Sequence, residues 1–255
     1  MALLEATNIS KRFGGIVALD SISLSVQGAE AVGLVGPNGA GKTTLFNCLL
    51  GMLKPDSGRV TFDGRDLSDL PIYRRARLGI GRTFQRIEVF AEMTPRQHFL
   101  VAERARLGNG ALWKDLLNQS KPTEEENRRA DYIIALLGLQ EEADRPIESL
   151  SLGHGRLVEL GRAMITDAKL LLLDEPSSGL DRMETVALTR VLDRVRSDKG
   201  TAILLVEHDL EMVQRAASRL YVLDFGQLIA SGPTQEVLTD PAVRKAYLGQ
   251  EALQG

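Results

Sequence analysis

An α/β fold built on a parallel sheet is predicted by three observations. From residue 168 onward, apolar runs of strand length alternate with longer stretches whose apolar residues recur at helical spacing. Near the start, the almost wholly apolar "AVGLVG" (31–36) runs straight into a glycine-rich turn and an amphipathic stretch, "TLFNCLLGML". A strand so uniformly apolar is buried on both faces of a parallel sheet. Between these regions, residues of about 85–160 carry mainly helical patterns. Parallel strands joined by helices cross over in a right-handed sense, which places helices on both sides of the sheet.

Each element has its own warrant. "SISLSVQ" (21–27) sets Ile22, Leu24 and Val26 against polar neighbours, the period of a half-buried strand. "RVTFDG" (59–64) repeats the pattern with Val60 and Phe62 after the turn "PDSG" (55–58). Thr123 and Glu126 form a capping box that opens a helix over "EEENRRADYIIALLGL" (124–139). "RLGNGALWKDLLNQSKP" (106–122) is expected to be an irregular insertion. Then follow the strand "KLLLLD", a helix over "METVALTRVLDRVRSDKG" with Leu188, Val191, Leu192 and Val195 on one face, the strand "TAILLVEH", the helix "DLEMVQRAAS" and the strand "RLYVLDFG". A helical segment thus interrupts an α/β core assembled from both ends of the chain. The basic cluster Arg74, Arg75 and Arg77 reads as a solvated helix face.

Composition narrows the function classes. The 255 residues are 44% apolar with a formal charge of −3, so a large core is available and no basic field attracts nucleic acid. No apolar run reaches the roughly 18 residues of a membrane span. "MALLEATNIS" lacks the basic opening of a signal peptide and meets Glu5 early. The single cysteine, Cys48, has no internal partner for a disulfide. A soluble, reducing, cytosolic setting is expected.

Chemistry enters at "GPNGAGKTT", Gly36–Thr44, which matches G-x-x-x-x-G-K-[ST] between a strand and a helix. Gly36, Pro37, Asn38, Gly39, Ala40 and Gly41 would curl backbone N–H groups round phosphates at a helix N-terminus. Lys42 would reach the β- and γ-phosphates, Thr43 would ligate Mg²⁺, and Thr44 completes the loop. "LLLLDEP" (170–176) ends a buried strand in Asp174, placed to hold Mg²⁺, with Glu175 next to it as general base or orienter of the attacking water. No asparagine begins an N-K-x-D motif, so guanine recognition is not expected.

"SLSLGHGRLVEL" (149–160) puts two glycines and a histidine into the first turn of a helix, where each glycine costs about 1 kcal/mol relative to alanine. Leu150-Ser151-Leu152-Gly153-His154 resembles the L-S-G-G-Q signature of ATP-binding cassette (ABC) ATPases. Ser151 as N-cap and the Gly153 N–H would crown the positive end of that helix. The resemblance implies that this end grips the γ-phosphate of ATP held by a second cassette. It further implies that His154 hydrogen-bonds where the family has glutamine. Gln85 in "RTFQ", 43 residues after Lys42, resembles the Q-loop glutamine that contacts Mg²⁺. Asp181 in "SSGLD" matches the D-loop, and His208 in "LLVEHD", 33 residues after Glu175, matches the switch histidine. Phe13 in "KRFGG" falls where the family stacks an aromatic ring on adenine.

The resemblance covers nearly the whole chain. It implies a P-loop NTPase fold with residues 1–84 and 161–255 as the ATP-binding core, including an antiparallel β subdomain, and 85–160 as the inserted helical subdomain. "GIGRTFQRIEVFAEMT", "GLDRMET" and "YVLDFGQLIASGPTQEVLTDPAVRKAYLG" are similar to the ATP-binding subunits of branched-chain or hydrophobic amino-acid importers and their urea-importing relatives. Two departures stand out: Asp181-Arg182 where that group usually has asparagine and proline, and His154-Gly155 where it has glutamines. The implied partners are a second ATPase subunit (a homologous chain or a second copy), two membrane permeases and, indirectly, a solute-binding protein. The implied place is the cytoplasmic face of the plasma membrane. Val89, Phe90 and Met93 are candidates for a groove that receives a permease helix. The rival readings are a urea or amide importer ATPase and a soluble ABC ATPase that remodels a macromolecule.

Overall fold

The computed structural model describes residues 2–83, 90–107 and 121–251, with side chains to 247. The strands in chain order are β1 (Ala2–Phe13), β2 (Ile16–Gln27), β3 (Ala31–Val35), β4 (Ser57–Phe62), β5 (Arg65–Asp66), β6 (Ile80–Arg82), β7 (Leu170–Asp174), β8 (Ala202–Val206), β9 (Arg219–Asp224) and β10 (Gln227–Pro233). They form two sheets, an antiparallel one in the order β2-β1-β4-β5 and a larger one in the order β10-β9-β3-β8-β7-β6. The larger sheet is parallel except for the edge strand β10, which runs antiparallel to β9. This is the α/β, P-loop-type architecture expected.

The alternation of side chains along the central strands divides the interior in two. Leu171 and Leu173 of β7, with Ile203 and Leu205 of β8, join one apolar cluster. Leu170 and Leu172, with Leu204 and Val206, join the other. The first cluster is completed by α4 (Glu124–Leu137), α5 (Leu152–Met164) and α6 (Arg182–Lys199). The second is completed by α1 (Lys42–Leu50) and the antiparallel sheet. Each leucine so enclosed contributes about 1.5–3 kcal/mol relative to exposure. The capping box at Thr123 and Glu126 is present, with both reciprocal bonds formed. Gly161 lets α5 approach α3 (Pro95–Leu107), since a Cβ there would lie 2.5 Å from the Phe99 ring.

Three elements differ from expectation. Strand pairing begins at Ala2, because β1 is held on both sides by β2 and β4 although its alternation is broken by register shifts. Arg75, on α2 (Ile72–Arg77), is not part of a solvated face: it is buried and donates to the carbonyls of Cys48, Leu49, Leu67 and Leu70. Those of Cys48 and Leu49 are terminal carbonyls of α1, and that of Cys48 also accepts the N–H of the C-cap Gly51. The expected insertion falls mostly outside the described residues; its first two residues complete α3.

Candidate nucleotide site and the signature helix

The glycine loop follows β3, and its backbone requires glycine at two places. Gly36 has φ +147°, and a Cβ there would lie 2.1 Å from the Leu223 carbonyl oxygen. Gly41 has φ +102°, and a Cβ would lie 2.5 Å from the Ala18 carbonyl oxygen on β2. Lys42 begins α1, is buried, and donates from Nζ to the carbonyls of Gly36 at 2.7 Å and Pro37 at 2.9 Å. Burial lowers its pKa, against the opposing pull of Glu175 and Asp174. Asn38 and Gly39 are exposed, Ala40 is buried and accepts the Gly226 N–H, Thr43 is exposed and Thr44 is half-buried.

Strands β3, β8 and β7 are neighbours, so the ends that carry Gly36, His208 and Asp174 line one edge of the sheet. Open α/β sheets bind ligands outside the carboxyl ends of their strands, as this arrangement requires. Burial raises the Asp174 pKa, followed by the charges of Glu175 and Glu207, while Lys42 opposes. Glu175 has φ +46°, a left-handed conformation that costs a residue with a Cβ on the order of 1–3 kcal/mol. Its N–H donates to Val206 O and its carbonyl accepts the Ser178 N–H, so the turn is held from both sides. The Glu175 carboxylate lies 3.5 Å from Nδ1 of His208.

Sequence reasoning missed Glu207. Its side chain is fully buried and accepts from the Ser177 N–H and hydroxyl and from the His208 N–H. One carboxylate thereby joins the turn after Glu175 to the histidine segment. A glutamate directly after the apolar run "AILLV" was the available signal. Phe13 ends β1 with 48% of its surface exposed, and Lys11 Nζ sits 5.7 Å from its ring centroid. Gln85 and Val89 lie outside the described residues. Phe90 is exposed, its ring stacked against buried His98 at 6.1 Å.

The signature segment forms a second locus. Ser151 is the N-cap of α5, and its hydroxyl accepts the His154 N–H. Leu152 meets the D-loop: a Cβ on Gly179 would lie 2.8 Å from Leu152 Cδ2. The His154 ring turns aside, with Nδ1 3.9 Å from the Glu142 carboxylate. Gly155 is buried and its N–H donates to Ser151 O. Asp181 caps α6 in a capping box with Glu184, a residue the sequence reading also passed over. Glu184 Oε2 accepts the Asp181 N–H at 3.1 Å. Its Oε1 accepts the Ser151 hydroxyl at 3.2 Å and the Gly153 N–H at 3.3 Å.

A glycine loop on a helix N-terminus, an aspartate–glutamate pair at the same sheet edge two strands away and a serine-capped helix across the domain define a P-loop nucleotide hydrolase of the cassette type. The model of the ABC transporter family matches residues 19–178, and that of the branched-chain amino acid ATP-binding cassette transporter matches residues 227–252. The chain belongs to the ABC transporter family and is an ATPase of that family. It is 40% identical over 97% of its length, and 98% of the relative's, to the high-affinity branched-chain amino acid transport ATP-binding protein LivG of Salmonella typhimurium. It is 36% identical, with the same coverage, to the corresponding protein BraF of Pseudomonas aeruginosa. The solved ADP conformation of MJ1267, an ATP-binding cassette of an ABC transporter, superposes with a TM-score of 0.86 at 34% identity, covering 98% of this chain and 99% of that one.

Proposed function

We propose that the chain is the ATP-hydrolysing subunit of a branched-chain amino-acid importer. LivG and BraF, similar over almost the full chain, support the cargo class, as does the family match at residues 227–252. The observation that carries the mechanism is the separation of two loci. Gly36–Thr44, Asp174, Glu175 and His208 meet at one sheet edge, while Ser151 and Gly153 bond to Glu184 instead. Each chain then supplies half of each reaction chamber. A second cassette, either a related chain or another copy, supplies the other half.

In this reading the Gly36–Thr44 backbone and Lys42 hold the phosphates, and Phe13 supports the base. Thr43, Asp174 and Gln85 are the residues for Mg²⁺. The donor set suits that ion: hydroxyl, carboxylate and amide oxygens are hard, and Mg²⁺ keeps several waters and phosphate oxygens of its own. When bound, Mg²⁺ neutralises charge that develops on the phosphates. Glu175, oriented by its left-handed turn, takes up or directs the proton of the attacking water, and His208 beside it contacts the γ-phosphate. Ser151, Gly153 and His154 close over the partner's ATP, with Asp181 at the seam. In this reading separate permease subunits span the membrane and receive the force; no helix among the described residues here is long and apolar enough to cross one. A solute-binding protein outside the membrane completes the assembly. Uptake of radiolabelled leucine, isoleucine and valine should fall in a strain that lacks the gene and return with the gene but not with its Glu175→Gln form. Unchanged uptake of all three overturns the cargo assignment.

A further inference from the structure

Glu184 occupies the place that the signature helix offers to an anion. Two donors converge there, the Ser151 hydroxyl and the Gly153 N–H, and both point at the one oxygen Oε1. The fit is tight: a Cβ on Gly153 would lie 2.5 Å from that oxygen. The second oxygen accepts from Asp181 at the head of α6, so the carboxylate sits at the positive ends of two helices at once. Glu184, Ser151 and Gly153 also line a hollow of about 90 Å³, together with Leu180 and Leu188. A carboxylate oxygen and a phosphate oxygen are interchangeable to such donors: both are anionic and both accept charge-assisted hydrogen bonds.

We propose that Glu184 is a built-in competitor for the signature site, filling it in the lone subunit and yielding it when a partner's nucleotide arrives. This rests on the reading of paired cassettes given above. Two anions cannot share the donors of Ser151 and Gly153, so pairing requires the Glu184 side chain to rotate out. The γ-phosphate, with more charge and more oxygens, displaces it, whereas a nucleotide that lacks that group does not reach the donors. The carboxylate thus sets a threshold that suppresses pairing without ATP, and it ties release of the signature helix to release of the D-loop at Asp181.

Glu184→Gln separates charge from shape, because glutamine at this position preserves the capping box. The wild-type and variant chains are titrated with a non-hydrolysable ATP analogue and Mg²⁺, each alone and mixed with the cassette that co-purifies in the transporter, and pairing is followed by light scattering. Melting temperature is measured without nucleotide. The variant should pair at an analogue concentration about twofold to fivefold lower, the range expected for one charge at a helix end, while its melting temperature is equal or lower. A residue that only caps helices would move both readings together toward weakness. Pairing at the same or a higher analogue concentration overturns the proposal. Should Glu184→Gln fail to fold, Glu184→Asp, shorter by one methylene, withdraws the charge from Gly153 and must also lower the required concentration. If no pair forms in either mixture with wild-type chain, the paired-cassette reading itself falls, and this inference falls with it.

Discussion

The glycine loop and the signature helix end are both helix N-termini, yet the chain's own charged group beside each has the opposite sign. At α1 the internal ligand is a cation, the Lys42 ammonium, held by two backbone carbonyls of its own loop. At α5 it is an anion, the Glu184 carboxylate, brought from another helix. The difference separates a helix end whose resident charge is opposite to a phosphate's from one whose resident charge is the same. Lys42 needs no exchange of partners in kind, since a phosphate joins the cation already there. In the proposed pairing, a phosphate that arrives at the signature must replace a group of the same sign.

Mutations that strike each side differently sharpen this contrast. The largest effect is expected from Glu175→Gln, which should cut turnover by about 10²–10⁴ with ATP binding retained; unchanged turnover in a steady-state phosphate-release assay would show that the base lies elsewhere. Next, Lys42→Ala should weaken nucleotide binding by about 10²-fold, as removal of one partner of a buried charge contact does. Calorimetric titration that finds wild-type affinity would disprove the cradle. On the signature side, Gly153→Ala should leave the lone chain's nucleotide affinity unchanged and lower turnover roughly tenfold, because the new methyl narrows the approach to the helix end. A drop in the lone chain's affinity would mean that the two loci are one site.

The smallest effect concerns Glu207 and is read in stability. Burial raises its pKa above the ordinary 4.5. The folded chain therefore holds that proton more tightly than the unfolded chain, and this contribution to stability is lost as pH rises from the ordinary value through the raised one. Glu207→Gln keeps an acceptor for Ser177 and removes the titration. Urea midpoints should then vary less with pH just above 4.5, and an unaltered slope would rule out Glu207 as its source.

Legibility of the sequence followed the same division. The buried "AVGLV" and "LLLLD" runs set out the parallel sheet, because burial on both faces leaves little choice of residue, and the period-two runs marked strands of the antiparallel one. The glycine loop was readable because its backbone tolerates nothing else at Gly36 and Gly41. The long first strand was obscured by its register shifts. Arg75 looked solvated because a guanidinium gives no sequence sign of the carbonyls that will surround it. Glu184 and Glu207 were passed over for a related reason: each acts on backbone N–H groups and hydroxyls brought from distant positions, and carboxylates in a charged helix or beside a histidine look ordinary until those donors are placed.

The glycine loop is synthesised early, yet its walls come late. Strand β3 lies between β8 and β9, the Leu223 carbonyl fills the space beside Gly36, and Gly226 donates to Ala40. During translation, then, the nascent chain must carry an exposed, unbraced phosphate loop until its closing strands leave the ribosome. A chain cut short before Leu223 lacks both of these braces.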